Sequence, residues 1–213
     1  MPRDCCTVIE PEPAVAASLF GDRIELAREF TRELGERGES LGLIGPLEAA
    51  RIWSRHILNC VLPAPLLRPG LVGDIGSGAG LPGIVLAIAR PDVEFVLVEP
   101  MERRVEWLRS ESVRLGLGNV RVERARAEDA PLVERLDQVT ARAVSSLSKL
   151  IPITAPLARR GGELLFMKGA RVSDEVTAAS KQIRAAHLST VEVLVLGVGI
   201  VPEVTRVFRA TVD

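Results

Sequence analysis

One stretch limits what this chain can fold into more than any other: Val72-Gly73-Asp74-Ile75-Gly76-Ser77-Gly78-Ala79-Gly80-Leu81-Pro82-Gly83. A short apolar run, Leu71-Val72, enters it, and an apolar run of helical length, Ile84-Val85-Leu86-Ala87-Ile88-Ala89, leaves it. Strand, glycine loop and helix in that order bring backbone N–H groups to a ligand at a helix N-terminus. Glycine loses more conformational entropy on folding than any other residue, so glycines at alternate positions mark a backbone shape that other residues resist. Pro82 suits the first helical turn, where its missing N–H leaves nothing unpaired. Glu99 closes the next apolar run, Phe95-Val96-Leu97-Val98. At about 20 residues beyond the loop, a carboxylate reaches both hydroxyls of a ribose. The first inference is a nucleoside-containing cofactor.

Two cofactors compete. Gly78-x-Gly80-x-x-Gly83 satisfies the dinucleotide pattern, which keeps an NAD-dependent oxidoreductase open. Three features favour another reading. Gly76 begins a different spacing, Gly76-x-Gly78-x-Gly80. Asp74 stands just before it, where a carboxylate can hold the loop or face the amino group of an amino-acid moiety. The unit also begins late, after about seventy residues. An acidic residue, three alternating glycines and a second acidic residue ending the next strand resemble the signature of S-adenosylmethionine methyltransferases.

A chain of 213 residues with 47% hydrophobic content supports one well-buried α/β domain. Residues 1–12 carry two prolines, with a third at position 13, and read as a flexible arm, and 13–213 as a single domain, divided into a helical cap (13–68) and a Rossmann-like core (69–213). In the cap, Ile24, Ala27, Phe30 and Leu34 recur at helical spacing from Asp22 until Gly35 and Gly38. A second helix runs from Pro46 with Ala50, Trp53, Ile57 and Val61 on one side, until Pro63 and Pro65 stop it. In the core, strands are expected at Leu71–Ile75, Glu94–Glu99, Val120–Glu123, Gln138–Ala141 and Glu163–Met167. The helices expected between and after them are Pro82–Ala89, Glu102–Leu115, Leu147–Leu157 and Val172–Ala186. Thr190–Leu196 and Val204–Val212 read as an antiparallel pair. The expectation is a mostly parallel seven-stranded sheet ending in an antiparallel hairpin, the order of class I S-adenosylmethionine methyltransferases rather than of the dinucleotide fold.

Cys5, Cys6 and Cys60 form no C-x-x-C pair and read as reduced thiols. The two histidines, His56 and His187, show no ligand spacing, so no metal is expected. No apolar run approaches the roughly 18 residues of a membrane span. The opening Met1-Pro2-Arg3-Asp4-Cys5-Cys6 lacks an apolar leader, so a cytoplasmic location is expected. Of 27 basic residues only Lys149, Lys168 and Lys181 are lysines, which leaves 24 arginines, a supply of phosphate-binding groups despite a net charge of −1.

Ligands of open α/β sheets bind outside the carboxyl ends of the strands. Two basic residues stand there: Arg142 in Thr140-Ala141-Arg142-Ala143, and Lys168 in Phe166-Met167-Lys168-Gly169. A charge at such an apolar strand end is costly unless paired, so these two are the candidate catalytic residues. Arg206 in the last hairpin is a lesser candidate. Ala127-Glu128-Asp129 could face an adenine or merely solvate a turn. Phe166 and Trp53 read as core. The chain lacks the Asn/Asp-Pro-Pro-Tyr/Phe loop of exocyclic-amine methyltransferases and the Pro-Cys pair of pyrimidine-carbon methyltransferases. What remains is a target that is nucleophilic without a general base, such as N7 of guanine.

From about residue 20 onward the chain resembles the glucose-inhibited division protein B family, bacterial methyltransferases that make 7-methylguanosine in 16S ribosomal RNA. The likeness is carried by Arg55-His56-Ile57-Leu58, Asp74 to Gly83, Arg103-Arg104-Val105-Glu106-Trp107-Leu108, Arg126-Ala127-Glu128, Thr140-Ala141-Arg142-Ala143 and Lys168-Gly169. Three places depart from the family's usual residues: Gly42-Leu43-Ile44 in place of Asn-Leu-Thr, Asn59-Cys60 in place of Asp-Ser, and Glu99-Pro100-Met101, which replaces Asp-Ser but keeps the carboxylate.

The resemblance implies that S-adenosylmethionine sits against Gly76, Leu81, Ala127, Glu128 and Arg142. Gly78, Gly80 and Glu99 join that set on the glycine-loop argument above. It also implies that His56, Arg126, Lys168 and Arg206 serve RNA binding, with Arg142 and Lys168 in catalysis. The target would be a guanine in the decoding-region loop, near the streptomycin site. The partner would be 16S ribosomal RNA or the small ribosomal subunit, assembled or precursor, and we expect a monomer with no membrane or metal partner. A non-catalytic ribosome-assembly factor that retains the cofactor pocket is the second alternative.

Overall fold

The computed structural model describes residues 9–213. Cys5, Cys6 and most of the expected arm lie outside the described residues. Residues 9–12, expected in that arm, are held to the rest: Glu10 N–H donates to the Ala49 carbonyl (3.0 Å), and Glu12 pairs with Arg28 (2.6 Å).

The cap opens with a short helix not foreseen from the sequence, α1 (Ala16–Phe20), and continues through a single 3-10 turn into α2 (Ile24–Arg37). Ala27, Phe30 and Leu34 form its buried stripe as the spacing implied, but Gly35 lies inside the helix and only Gly38 caps it. The second cap helix is not a regular α-helix. It runs as a 3-10 turn (Ala49–Arg51), a π-helical segment (Ile52–Ile57) and one α-turn, α3 (Leu58–Val61). Wide π turns are rare and concentrate where a side chain must be re-aimed. Here the segment buries Trp53, His56 and Ile57 together.

β1 (Leu71–Ile75) leads to α4 (Gly83–Ala89), for which Pro82 is the N-cap. β2 (Glu94–Val98), α5 (Glu102–Arg114) and β3 (Val120–Glu123) follow within a residue of expectation. β4 spans Leu136–Arg142 and α6 Leu147–Thr154. β5 runs from Ala158 to Lys168, five residues longer at its start than the apolar run suggested, because exposed Arg159 and Arg160 still belong to the strand. The helix expected over 172–186 is split at Ala179 into α7 (Val172–Ala178) and α8 (Ser180–Ala185). β6 (Leu188–Leu196) and β7 (Thr205–Val212) close the chain.

The seven strands lie in the order β3-β2-β1-β4-β5-β7-β6. All pairs are parallel except β5 with β7 and β7 with β6. The dinucleotide fold ends instead in a parallel sixth strand beside β5. Alternation along β2 shows the layers: Phe95 and Leu97 join one core with the cap, α4 and α5, and Val96 and Val98 join the other with α6, α7 and α8. α4 is apolar all round because it lies between sheet and cap, with Gly83 to Ile88 buried. Phe166 and Phe208 stack at 5.9 Å in the core, and Trp53 is buried.

Candidate active site

The glycine loop crosses the carboxyl ends of β1 and β2. Gly76, Gly78 and Gly80 all have left-handed backbones, with φ of 73°, 54° and 91°. Only glycine takes such conformations readily, which explains the alternate spacing. Two carboxylates hold the loop. Asp74, fully buried, accepts a hydrogen bond through Oδ2 from the Gly83 N–H (3.0 Å). Glu99 accepts from Gly78 N–H through one oxygen and from Met101 N–H through the other, both at 3.0 Å. Burial pushes the Asp74 carboxyl up to about 7, against the lowering effect of Ser77 and the Gly83 amide. Its Oδ1 is buried without a partner.

Three clefts meet beside this loop. The first, about 410 Å³, is walled by Glu99, Met101, Arg126, Ala127, Glu128 and Val144. The second, about 460 Å³, lies between the loop and the cap and is walled by Gly76, Gly78, Leu81, Glu48, His56 and Arg142. The third, also about 460 Å³, is lined by Arg55, Arg142, Lys168, Glu203 and Arg206. Gly76 and Arg104 border the first two, Arg142 the last two, and Ala143 all three. Gly80 stands behind the loop, where an added Cβ would lie 2.6 Å from Ile84 Cγ1. A hollow of about 600 Å³, walled by Ala158, His187 and Val212, sits at the opposite strand ends.

Arg142 ends β4, and its guanidinium reaches into the cap. Nη2 donates to His56 Nδ1 (2.9 Å) and to the Arg55 carbonyl (3.1 Å), and Nη1 donates to Cys60 Sγ (3.5 Å). His56 Nε2 bonds Glu48 Oε2 at 2.6 Å. Burial, reinforced by Arg142, pushes His56 down to about 4, so the ring is neutral near pH 7. Burial likewise pushes the Cys60 thiol up to about 11.

The other sequence candidates are placed less uniformly. Lys168 is nearly buried: its ammonium meets Glu175 (2.7 Å) and donates to the Ser145 carbonyl (2.7 Å), so its charge is already paired. Arg206 is half-buried in the third cleft and has no ion-pair partner among the described residues. Arg126 is exposed at the edge of the first cleft, Ala127 is buried and Glu128 exposed.

Sequence reasoning missed Glu48, Arg55 and Arg104 as wall residues. Arg104 lies 3.9 Å from the Glu99 carboxylate, and its Nε is buried without a partner. Its place in the first turn of α5, five residues after Glu99, is a signal that could have found it. The departure at Gly42 has a backbone cause: φ is 61°, a conformation that asparagine, the family's usual residue, tolerates best after glycine. Among the described residues no group of three His, Cys, Asp or Glu side chains is placed to hold a metal. No helix of the described residues is long and apolar enough to cross a membrane.

Comparison with known proteins agrees with this geometry. A family model described as rRNA small subunit methyltransferase G matches residues 23–200. The ribosomal RNA small subunit methyltransferase G of Clavibacter michiganensis is 69% identical over 96% of this chain and 97% of the relative. That of an Arthrobacter species is 47% identical over 95% and 94%. Among solved structures, a SAM-dependent methyltransferase from Aquifex aeolicus superposes with a TM-score of 0.56 at 18% identity, covering 77% of this chain and 93% of that one. A precorrin-6y methyltransferase from Geobacter metallireducens gives 0.54 at 17% identity, covering 73% and 86%. The last two show the fold.

Proposed function

The chain belongs to the rRNA small subunit methyltransferase G family, and on that premise we propose that it methylates N7 of a guanine in the decoding-region loop of 16S ribosomal RNA. The family match gives no support to the hydride-transfer alternative or to the non-catalytic one.

S-adenosylmethionine is the methyl donor, and the residues present fit it. Met101 and Val144, 45% and 40% exposed, flank the first cleft where a flat purine would cover them. Glu99, already fixed by two amides, suits ribose hydroxyls. The unpartnered Nε of Arg104, which borders both of the first two clefts, suits a carboxylate. A side chain at Gly76 would come within 2.8 Å of Val144 across the passage between the two clefts. When bound, this cofactor supplies an electrophilic methyl group on sulfonium. Gly76, Gly78, Leu81, Glu99, Ala127 and Glu128 would hold it, and Gly80, packed behind on Ile84, would only shape the loop.

One observation carries the N7 reading. Both nitrogens of His56 are committed, one to Arg142 and one to Glu48, and the ring is neutral. No free lone pair on this histidine is available to take a proton from a substrate. N7 of guanine has its lone pair in the ring plane and no proton to lose, so it needs placement and a suitable field instead. Arg142 has five N–H donors, of which three serve the cap, leaving two for cofactor or RNA. Arg206, with Arg126 at the far cleft, would hold phosphates. Lys168 would support the third cleft through Glu175 and lend it a weaker field. A target base inside a helix must be flipped out at a cost of a few kcal/mol. The reading places the chain in the cytoplasm, as a monomer acting on the small ribosomal subunit or its RNA.

The test is to supply labelled S-adenosylmethionine to small subunits from a strain lacking this chain and to map the product. Label at one guanine, with strand scission by reduction and aniline, is expected. Label on an exocyclic amine or an adenine would overturn the N7 assignment.

A further inference from the structure

We propose that Glu48 is a positioning residue for methyl transfer, fixing the tautomer of His56 and through it the aim of Arg142. The proposal rests on the reading above that Arg142 serves the transfer.

The chain of contacts has one consistent proton arrangement. A guanidinium can only donate, so His56 Nδ1, 2.9 Å from Arg142 Nη2, must be the accepting nitrogen. The ring is neutral, so its single proton is on Nε2, which donates to Glu48 Oε2 at 2.6 Å. Without an acceptor at Glu48 the proton is free to move to Nδ1, where it would face an N–H of Arg142 and break that contact. Glu48 is well suited to remain an acceptor. Burial raises its pKa, but hydrogen bonds from Arg51 and His56 outweigh that and hold it below the usual carboxylate range. Arg51 donates to the other oxygen at 2.9 Å, and Arg55 lies at 3.4 Å from Oε2.

The backbone supports the same conclusion at both ends of the chain. Leu47, just before Glu48, has φ of 73°, and Ala143, just after Arg142, has φ of 55°. Non-glycine residues in this region are uncommon and strained. The Leu47 side chain is 83% exposed, so its own packing does not account for the turn. What the two turns secure is a carboxylate on the cap and a guanidinium on the sheet, joined through one imidazole. The π-helical segment that carries His56 is the third irregularity in the same path.

A double-mutant cycle tests this with Glu48→Ala, His56→Ala and the pair, measured as methyl transfer to unmodified small subunits. Each single change is expected to lower kcat about tenfold, and the pair about tenfold rather than a hundredfold, since both remove one path. Imidazole-nitrogen NMR should show His56 protonated on Nε2 in the parent and redistributed in Glu48→Ala. S-adenosylhomocysteine should bind each variant within about twofold of the parent. Additive losses, or an unchanged tautomer with weakened S-adenosylhomocysteine binding, would overturn the inference and make Glu48 a direct cofactor contact. Failure of the parent itself to methylate guanine would overturn the reading beneath it instead, so the two failures are distinct.

Discussion

The two sides of the site are made differently. The side proposed for the cofactor is built from backbone: left-handed glycines, amides and two carboxylates that clamp the loop within nine residues and across one strand. The side proposed for transfer is built from side chains that come from distant parts of the chain. Arg142 meets His56 across 86 positions, and Lys168 lies beside Arg206 only because β7 pairs antiparallel with β5. A backbone-made site tolerates few substitutions at its glycines. A side-chain-made site depends on packing between layers, and its members couple.

The largest effect should come from filling the backbone side. A Cβ at Gly83 would lie 2.4 Å from Leu97 Cδ2 and 2.5 Å from Asp74 Oδ2. Gly83→Val should lower the unfolding free energy by about 3 kcal/mol or more, read by denaturant titration. Retained stability would mean that the loop shifts to make room and is not fixed by its backbone.

Next is Arg142→Ala, expected to reduce kcat about a hundredfold with a loss of only a few degrees in Tm. Parallel loss of stability and activity would make the guanidinium a strut between sheet and cap.

A smaller effect separates the two cations of the third cleft. Arg206→Ala should lower the slope of log binding against log salt by about one contact, and Lys168→Ala by less, because Glu175 already neutralises that ammonium. Equal slopes would return Lys168 to the phosphate set.

The smallest is a pH profile. Asp74 has its carboxyl raised from 3.8 to about 7, so across that range the folded state binds more protons than the unfolded one and stability falls as pH rises. His56, lowered from 6.5 to about 4, gives the opposite slope over about the same range. The two oppose in the parent. Asp74→Asn removes the first, so its stability should climb from pH 4 to 6.5 relative to the parent. Parallel profiles from thermal unfolding would mean that Asp74 is ionised throughout.

This contrast also separates what could be read in the sequence from what could not. Strand and loop positions from Leu71 to Glu123 were legible because glycine spacing and alternating apolar runs act locally. The cap's second helix was not: Ala50, Trp53, Ile57 and Val61 match a 3.6-residue period, but burial of His56 against Glu48 and Arg142 imposes a wider turn. The long start of β5 was hidden because Arg159 and Arg160 are polar, exposed and set at an irregularity in the register with β4, where Arg159 meets Asp137 at 2.6 Å. Arg142 and Lys168 were legible as charges at strand ends. Their partners, His56 with Glu48 and Glu175, were not, since nothing local brings them together.

The most direct measurement is calorimetric titration of S-adenosylhomocysteine into Gly76→Val and His56→Ala beside the parent, with methyl transfer assayed on the same samples. Gly76→Val is expected to lose binding, while His56→Ala is expected to bind within about twofold of the parent and to transfer about tenfold more slowly. Equal loss of binding in both variants would contradict it, because the cofactor side and the transfer side would then be one site.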